Sequence, residues 1–284
     1  MNGRLVLITG STAGIGKRAA FELARMGAHV IIQGRDAAKA ERVAGELKAA
    51  HPNAKVDFLV ADLSSMQAVR GLAAEVKQRF GKLDVLLNNA GALQVRREVT
   101  VDGYERTFAT NHLAYFLLAN LLLPELKKGV KPRIVNVSSD AHRYGRMNFD
   151  DLMAEKNFRG FPQYGRSKLA NILFTRELAR RVQADGITVN CLHPGFVASE
   201  FLSKGGIWKV IKPIAYLFAV DEEQGARCSV YLASSPEVEG VTGKYFYKCK
   251  EKRPRSFAED DEAARRLWEV SEKLTGLPGT SKAA

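Results

Sequence analysis

Cysteine is scarce in this chain: Cys191, Cys228 and Cys249 are the only three, and no CxxC spacing joins them. An odd, scattered set argues against a disulfide framework or a cysteine-based zinc site and fits a reducing, cytoplasmic setting. Long apolar runs are missing too. The greasiest stretch, Leu113 to Leu123, falls well short of the ~20 residues that span a bilayer. Asn120 interrupts it and Pro124 ends it, so it reads as a buried helix. Met1-Asn2-Gly3-Arg4 runs straight into Leu5–Ile8 with no charged leader or cleavage site, so neither secretion nor an N-terminal anchor is expected. Acidic residues are outnumbered, 31 against 43 Lys and Arg, for a net charge of +12. Such a balance attracts anions. Yet zinc-finger cysteines and the aromatic–basic interleaving of RNA-binding modules are both absent, so no nucleic-acid partner is expected. The surplus charge reads as a solvated basic surface.

What is present is an ordinary globular balance, 46% hydrophobic and 26% charged over 284 residues, enough for one domain with a full core. Short β-branched runs alternate with helical patterns. The strand-like runs are Leu5–Ile8, Val30–Ile32, Val56–Val60, Val85–Leu87, Ile134–Val137, Ile187–Cys191 and, more weakly, Lys244–Tyr247. Apolar spacing of three and four, as at Ala19, Ala20, Leu23 and Ala24, marks the helices between them. The alternation implies an α/β fold, a doubly wound parallel sheet in a single domain spanning 1–284. Two segments break the rhythm, 140–163 and 195–222. Both leave carboxyl ends of strands, where open α/β sheets bind ligands. From about 248 to 284 a charged C-terminal extension follows, with one helical pattern at Ala263–Leu274.

Thr9-Gly10-Ser11-Thr12-Ala13-Gly14-Ile15-Gly16 follows the first strand and opens the first helix. Gly10 permits a tight turn, Gly14 a close approach of backbone to a diphosphate, and Gly16 close helix–strand packing. The helix N-terminus then offers free N–H groups to the anion. In the Rossmann fingerprint an acidic residue ends the second strand, where it would bind a ribose 2′-hydroxyl and repel a 2′-phosphate. Here that strand ends Ile32-Gln33-Gly34-Arg35. Arg35 suits a 2′-phosphate, Asp36 suits a helix cap, and Lys17 adds positive charge. NADP(H) is therefore expected rather than NAD.

The TGxxxGIG spacing resembles the short-chain dehydrogenase/reductase family, whose Rossmann fold binds a nicotinamide cofactor. The resemblance implies that Asp62 and Leu63 lie beside the adenine and that Asn88-Asn89-Ala90-Gly91 lines the cofactor crevice. It implies the same of Pro194, Gly195 and Val197, with Ser199 where a threonine often stands. Tyr164-Gly165-Arg166-Ser167-Lys168 matches the family's YxxxK pattern, and positions i and i+4 share a helix face. A free phenol has a pKa near ~10 and is a poor base at neutrality. The Lys168 cation and an oxidised nicotinamide would lower it, at about 4 kcal/mol of differential stabilisation. Two serines, Ser138 and Ser139, end the fifth strand. The family register gives the substrate oxygen to Ser139 and structural bonds to Ser138. Asn111 matches a helix asparagine that distorts its helix and holds a proton-carrying water; an ordinary polar helix residue is the other reading. Tyr164 and Lys168 would also touch the cofactor. The implied chemistry needs no metal.

Thr110-Asn111-His112-Leu113, Ser138-Ser139-Asp140-Ala141-His142, Ser167-Lys168-Leu169-Ala170-Asn171 and Gly243-Lys244-Tyr245-Phe246 are similar to the retinol dehydrogenase-like branch. That likeness implies a lipophilic carbonyl or alcohol substrate; a ketosteroid, quinone or ketoacyl group is the alternative, and a silent cofactor-binding regulator the rival class. The apolar loop 206–218 reads as part of a substrate lid at 195–222, the alternatives being a core helix or a dimer contact. Membrane contact is not expected from it. His112, His142 and His193 read as structural. Homodimer or homotetramer stays open from one sequence.

Overall fold

The computed structural model describes residues 1–195 and 222–277. Among the described residues eight strands form one sheet in the order β3-β2-β1-β4-β5-β6-β7-β8. They are β1 (Leu5–Ile8), β2 (His29–Gly34), β3 (Val56–Val60), β4 (Val85–Asn88), β5 (Arg133–Val137), β6 (Thr188–His193), β7 (Tyr245–Tyr247) and β8 (Lys250–Glu251). All neighbours are parallel until β8, which turns back antiparallel on β7. Two residues carry no hydrophobic pattern, so β8 left no trace in the sequence. The chain moves outward from β1 in one direction to β3 and then reverses through β4. That reversal opens a crevice at the carboxyl ends of β1 and β4, where such sheets take ligands.

Both sheet faces are covered, and the alternation of side chains sorts each strand between two cores. Leu5 and Leu7 join one layer with Ile31, Leu86 and Ile134; Val6 and Ile8 join the other with Val30, Ile32 and Val135. The helices are α1 (Gly14–Arg25), α2 (Ala37–Ala50), α3 (Met66–Phe80), α4 (Arg106–Phe108), α5 (Ala114–Leu126), α6 (Gly160–Arg181), α7 (Glu222–Ser234) and α8 (Asp261–Thr275). Buried residues of α3, α5, α6 and α8 fill the first layer, and those of α1, α2 and α7 the second. Asp36 and Ser65 cap α2 and α3 by accepting from backbone N–H groups three residues on, while Gly81 ends α3 in the left-handed conformation.

A π-helical turn, Ala109–Leu113, joins α4 to α5. The helix passes Pro124 and runs to Leu126, farther than expected. Proline in the last turn costs only the hydrogen bond to the Asn120 carbonyl, and Asn120 is partly exposed. The terminal helix α8 is held by Trp268, whose ring lies edge-on to Phe116 (4.9 Å) and stacks on Phe174 (6.1 Å). Among the described residues no helix is long and apolar enough to cross a membrane.

Candidate functional site

The glycine loop is built as a rigid cradle. Gly10 sits at φ +63°, and a Cβ there would lie 2.8 Å from the Ala90 Cα. A Cβ on Gly16 would strike the Asn89 amide and come within 2.5 Å of the Gly10 carbonyl oxygen. Asn89 fastens the loop from β4, donating to the carbonyls of Thr9 (2.9 Å) and Gly10 (3.3 Å). The Thr9 hydroxyl accepts in return from the N–H groups of Asn89 (2.9 Å) and Ala90 (3.1 Å). Ser11 is fully buried: its hydroxyl donates to the Ile8 carbonyl and accepts from the Gln33 N–H, and its own N–H donates to the Gln33 carbonyl. Its polar groups therefore brace the loop against β2. Thr12, Gly14 and Ile15 stay partly exposed at the start of α1, which has no side-chain cap at Ala13. An uncapped helix start beside backbone that tolerates no Cβ fits the diphosphate of a nicotinamide cofactor.

Gln33 was not singled out from the sequence. Its side-chain oxygen accepts from the Gly10 N–H (3.0 Å) and its amide donates to the carbonyls of Gly34 and Ala61. The signal was a buried polar residue after Val30–Ile32 in an otherwise apolar strand. A Cβ at Gly34 would lie 2.5 Å from the Thr12 methyl, so any larger side chain there displaces Thr12. Arg35 is exposed just past β2. Asp36 caps α2, accepting from the Lys39 N–H at 2.9 Å. The Lys17 ammonium pairs with Glu46 on α2, which offsets the charge expected of it. Leu63 is buried; Asp62 is exposed and accepts from the Ser64 N–H at 2.9 Å. Desolvation opposes ionisation of Asp62, but that bond and the charges of Arg106 and Arg35 hold its carboxyl below the usual range.

The phenol, ammonium, serine and asparagine converge on this crevice. Lys168 is buried, its ammonium donating to the Val137 carbonyl (3.0 Å) and lying 5.6 Å from the Tyr164 ring centre and 5.8 Å from that of Tyr115. Tyr164 keeps a partly exposed ring, and its hydroxyl hydrogen-bonds with the Ser139 side chain. The Ser139 oxygen also accepts from the Ala141 N–H (3.2 Å), capping the short 3-10 turn Asp140–Tyr144. That turn meets α6 backbone to backbone: a Cβ on Gly165 would lie 2.5 Å from the Ala141 carbonyl and 2.9 Å from the Gly145 nitrogen. The two glycines thus bring Ser139 to Tyr164. Ser138, fully buried, donates to the Lys168 carbonyl at 2.7 Å.

Asn111 lies in the π turn. Its amide donates to the Ala92 carbonyl and the Ser167 hydroxyl, both at 2.9 Å, and its oxygen accepts from the Ala92 N–H at 2.7 Å. It thereby ties the segment after Gly91 to α6. A Cβ on Gly91 would lie 3.6 Å from both the Asn111 side-chain oxygen and the Lys168 ammonium. Behind the site Asn88 donates to Asn136 (2.9 Å) and Asn136 to Thr175 (3.0 Å), pinning β4, β5 and α6 together.

Burial governs the electrostatics. Desolvation pushes the Tyr164 phenol up to about 12, against the Ser139 hydrogen bond, which pulls it down. Desolvation alone brings Lys168 down to about 7. The expected lowering of the phenol by a nearby ammonium is thus absent from the protein alone. Two buried groups each resist charging when no counter-charge accompanies them.

Pro194 and Gly195 (φ +98°) follow the end of β6, and His193 stacks on Tyr247 at 5.1 Å. Val197, Ser199, the loop 206–218 and nearly all of the lid 195–222 lie outside the described residues. His112 bonds to Ser271 (2.9 Å) among Phe108, Phe116 and Phe174, and His142 to the Ser139 carbonyl (2.8 Å). Burial depresses His193 to about 4 and His112 to about 3.

A family model described as short chain dehydrogenase matches residues 4–208. Retinol dehydrogenase 14 of Homo sapiens is 46% identical over 98% of this chain and 88% of its own length. Retinol dehydrogenase 13 of Homo sapiens is 42% identical, over 98% and 86%. A solved, uncharacterized protein from Mycobacterium paratuberculosis has a TM-score of 0.78 at 36% identity, covering 97% of this chain and 94% of that one. The RhlG/NADP active-site complex of Pseudomonas aeruginosa has a TM-score of 0.70 at 27% identity, over 87% and 94%.

Proposed function

This chain belongs to the short-chain dehydrogenases, on their retinol dehydrogenase-like branch, and from that premise we propose that it is an NADP(H)-dependent reductase of a lipophilic aldehyde or ketone. The observation that carries the reading is the buried Lys168 ammonium, held by the Val137 carbonyl at the end of β5 (3.0 Å) and 5.6 Å from the Tyr164 ring centre.

The nicotinamide, when bound, supplies or accepts the hydride. Gly10, Thr12, Gly14, Ile15 and Gly16 hold the diphosphate, with Ser11 shaping the loop. Arg35 pairs with the 2′-phosphate, and Gly34 leaves no carboxylate to repel it. Asp62 and Leu63 flank the adenine; Asn89, Ala90, Gly91, Pro194, Gly195 and Val197 line the remainder. Lys168 binds the ribose hydroxyls. Ser139 donates a hydrogen bond to the substrate oxygen and stabilises its developing negative charge. Tyr164 gives that oxygen its proton, and a phenol held near 12 is fully protonated at neutral pH, as a donor must be. Asn111 fixes the segment that follows Gly91. Residues 1–284 act as one domain. Few and scattered cysteines support a cytoplasmic, reducing location. The names of the relatives support a retinal-like substrate, and NADP in a related solved complex supports the cofactor.

NADPH oxidation by the purified chain with a long-chain aldehyde is the test. Turnover is expected, and Tyr164→Phe should abolish it while NADPH still binds. Retained turnover in that variant would remove Tyr164 from the mechanism.

A further inference from the structure

One buried phenol takes no part in the proton transfer. Tyr115 lies on α5, 1% exposed, just beyond the π turn that carries Asn111. The two side chains grip one segment: Asn111 holds Ala92, and the Tyr115 hydroxyl donates to the Ala90 carbonyl at 2.7 Å. The Ala90 N–H donates in turn to the Thr9 hydroxyl (3.1 Å), and the Ala90 Cα is the atom that a Cβ on Gly10 would strike. Tyr115 therefore fixes a residue that packs directly against the glycine loop.

The ring of the same side chain meets the Lys168 ammonium, 5.8 Å from its centre. A cation within about 6 Å of an aromatic face is attracted by the ring quadrupole, most strongly where water is excluded. Lys168 is buried and short of other support. An ammonium carries three donors, and among the described residues its one hydrogen-bond acceptor is the Val137 carbonyl. The titratable groups that face it are two phenols, Tyr164 from its own helix at 5.6 Å and Tyr115 from α5. From β5 comes the carbonyl and from the end of β4 the Gly91 backbone; among the described residues no carboxylate reaches the ammonium. Desolvation brings Lys168 down to about 7, so modest contributions decide its charge at neutrality. Burial, and then charge on Tyr164, push the Tyr115 phenol well above its ordinary value. Tyr115 thus stays neutral, its proton committed to Ala90, and offers the cation a ring face.

We propose that Tyr115 is a positioning residue of the reduction site, its ring keeping the Lys168 ammonium charged and seated while its hydroxyl holds Ala90 against the glycine loop. A neutral amine at Lys168 would withdraw the positive charge that favours the phenolate left when Tyr164 gives up its proton. The part played in turnover rests on the reductase function proposed above.

The test compares the full chain with Tyr115→Phe and with a chain carrying pentafluorophenylalanine in place of Tyr115. Phenylalanine removes the hydroxyl and keeps the ring face; the fluorinated ring nearly keeps the shape and reverses the quadrupole. Lys168 is followed by NMR of lysine labelled with carbon-13 at Cε, its signal identified by its loss in Lys168→Met. NADPH binding is read by fluorescence. Tyr115→Phe should leave the Lys168 midpoint in place and raise the Kd for NADPH about threefold to tenfold, the loss of one buried hydrogen bond. The fluorinated ring should in addition lower the Lys168 midpoint by about half a pH unit to one pH unit. With a long-chain aldehyde, the alkaline limb of kcat/KM should move in the same direction. An unmoved or raised midpoint with the fluorinated ring, or an unchanged Kd in Tyr115→Phe, would overturn the proposal. A lower melting temperature alone would make Tyr115 a packing residue and overturn it too. Midpoint and Kd are both read without substrate, so a parent chain that turned over no aldehyde would refute the reductase function and not these contacts.

Discussion

Replacing Gly16 by alanine tests how tightly the cofactor cradle is built. The added methyl would overlap the Asn89 amide and stand 2.5 Å from the Gly10 carbonyl oxygen and 3.0 Å from the Ser11 Cα. One of these neighbours is a side chain already committed to two carbonyls, and the other two are backbone, so neither side yields freely. Overpacking of this kind costs about 1–3 kcal/mol. Displacing Asn89 forfeits a further ~1 kcal/mol for each lost hydrogen bond. Together about 2–5 kcal/mol should appear as a thermal midpoint lower by roughly 4–15 °C. Because α1 must tilt away from β4, the Kd for NADPH, read by quenching or enhancement of its fluorescence, should rise at least about tenfold, some 1.4 kcal/mol. Gly45→Ala provides the control. It lies exposed within α2 with nothing within 4 Å of its added Cβ, so about 0.5–1 kcal/mol of stabilisation is expected from the helix preference of alanine. If Gly16→Ala melts and binds like the parent while Gly45→Ala behaves as stated, the close-packing argument for the loop is wrong.

Arg35→Ala should raise the KM for NADPH by about tenfold to a hundredfold, the loss of a charge-assisted contact, and leave the KM for NADH nearly unchanged; equal effects on both would unseat Arg35 as the 2′-phosphate partner. Lys168 has its folded pKa depressed to about 7 from 10.5, so between those values the unfolded chain binds more protons and stability contributed by this site rises with pH. In urea titrations from pH 7 to 9, Lys168→Met should flatten that rise; an unchanged slope refutes the assignment. Trp268→Ala should cost about 3–5 kcal/mol, as a large aromatic leaves a cavity against Phe116 and Phe174. A loss under 1 kcal/mol in chemical denaturation would mean that α8 is not held by that contact.

Much of this molecule was legible because its sequence repeats two simple periods. β1 and β3 coincide with their apolar runs, and other strands differ by a residue or two at the ends. There hydrogen bonding continues into polar residues such as Gln33, Asn88 and His193, beyond the hydrophobic signal. β8 was missed because two exposed residues paired at a sheet edge have no pattern of their own. At the site, the glycines, Tyr164, Lys168 and the two serines were named from spacing and resemblance; the structure puts Gly10 and Gly16 against Asn89 and Ala90 and Lys168 one helical turn from Tyr164. The supports were not named. Gln33 speaks only through three partners distant in sequence, and the Gly145–Gly165 contact exists only once α6 has docked. The charge states were least legible: spacing sets a lysine one turn from a tyrosine, but the dryness around them decides that neither ionises readily.

The π turn at Ala109–Leu113 has a consequence for how the molecule divides its labour. One extra residue in a helix rotates everything beyond it by about a quarter to a third of a turn relative to an α-helical course. Adjacent positions are thereby sent to different clients: Asn111 toward Ala92 and Ser167, and His112 toward Ser271 on the last helix. The rod that seats the chain's far end is also the rod that ties Ala92 to Ser167 on α6. A single turn of helix thus holds both the terminal helix and the segment after Gly91.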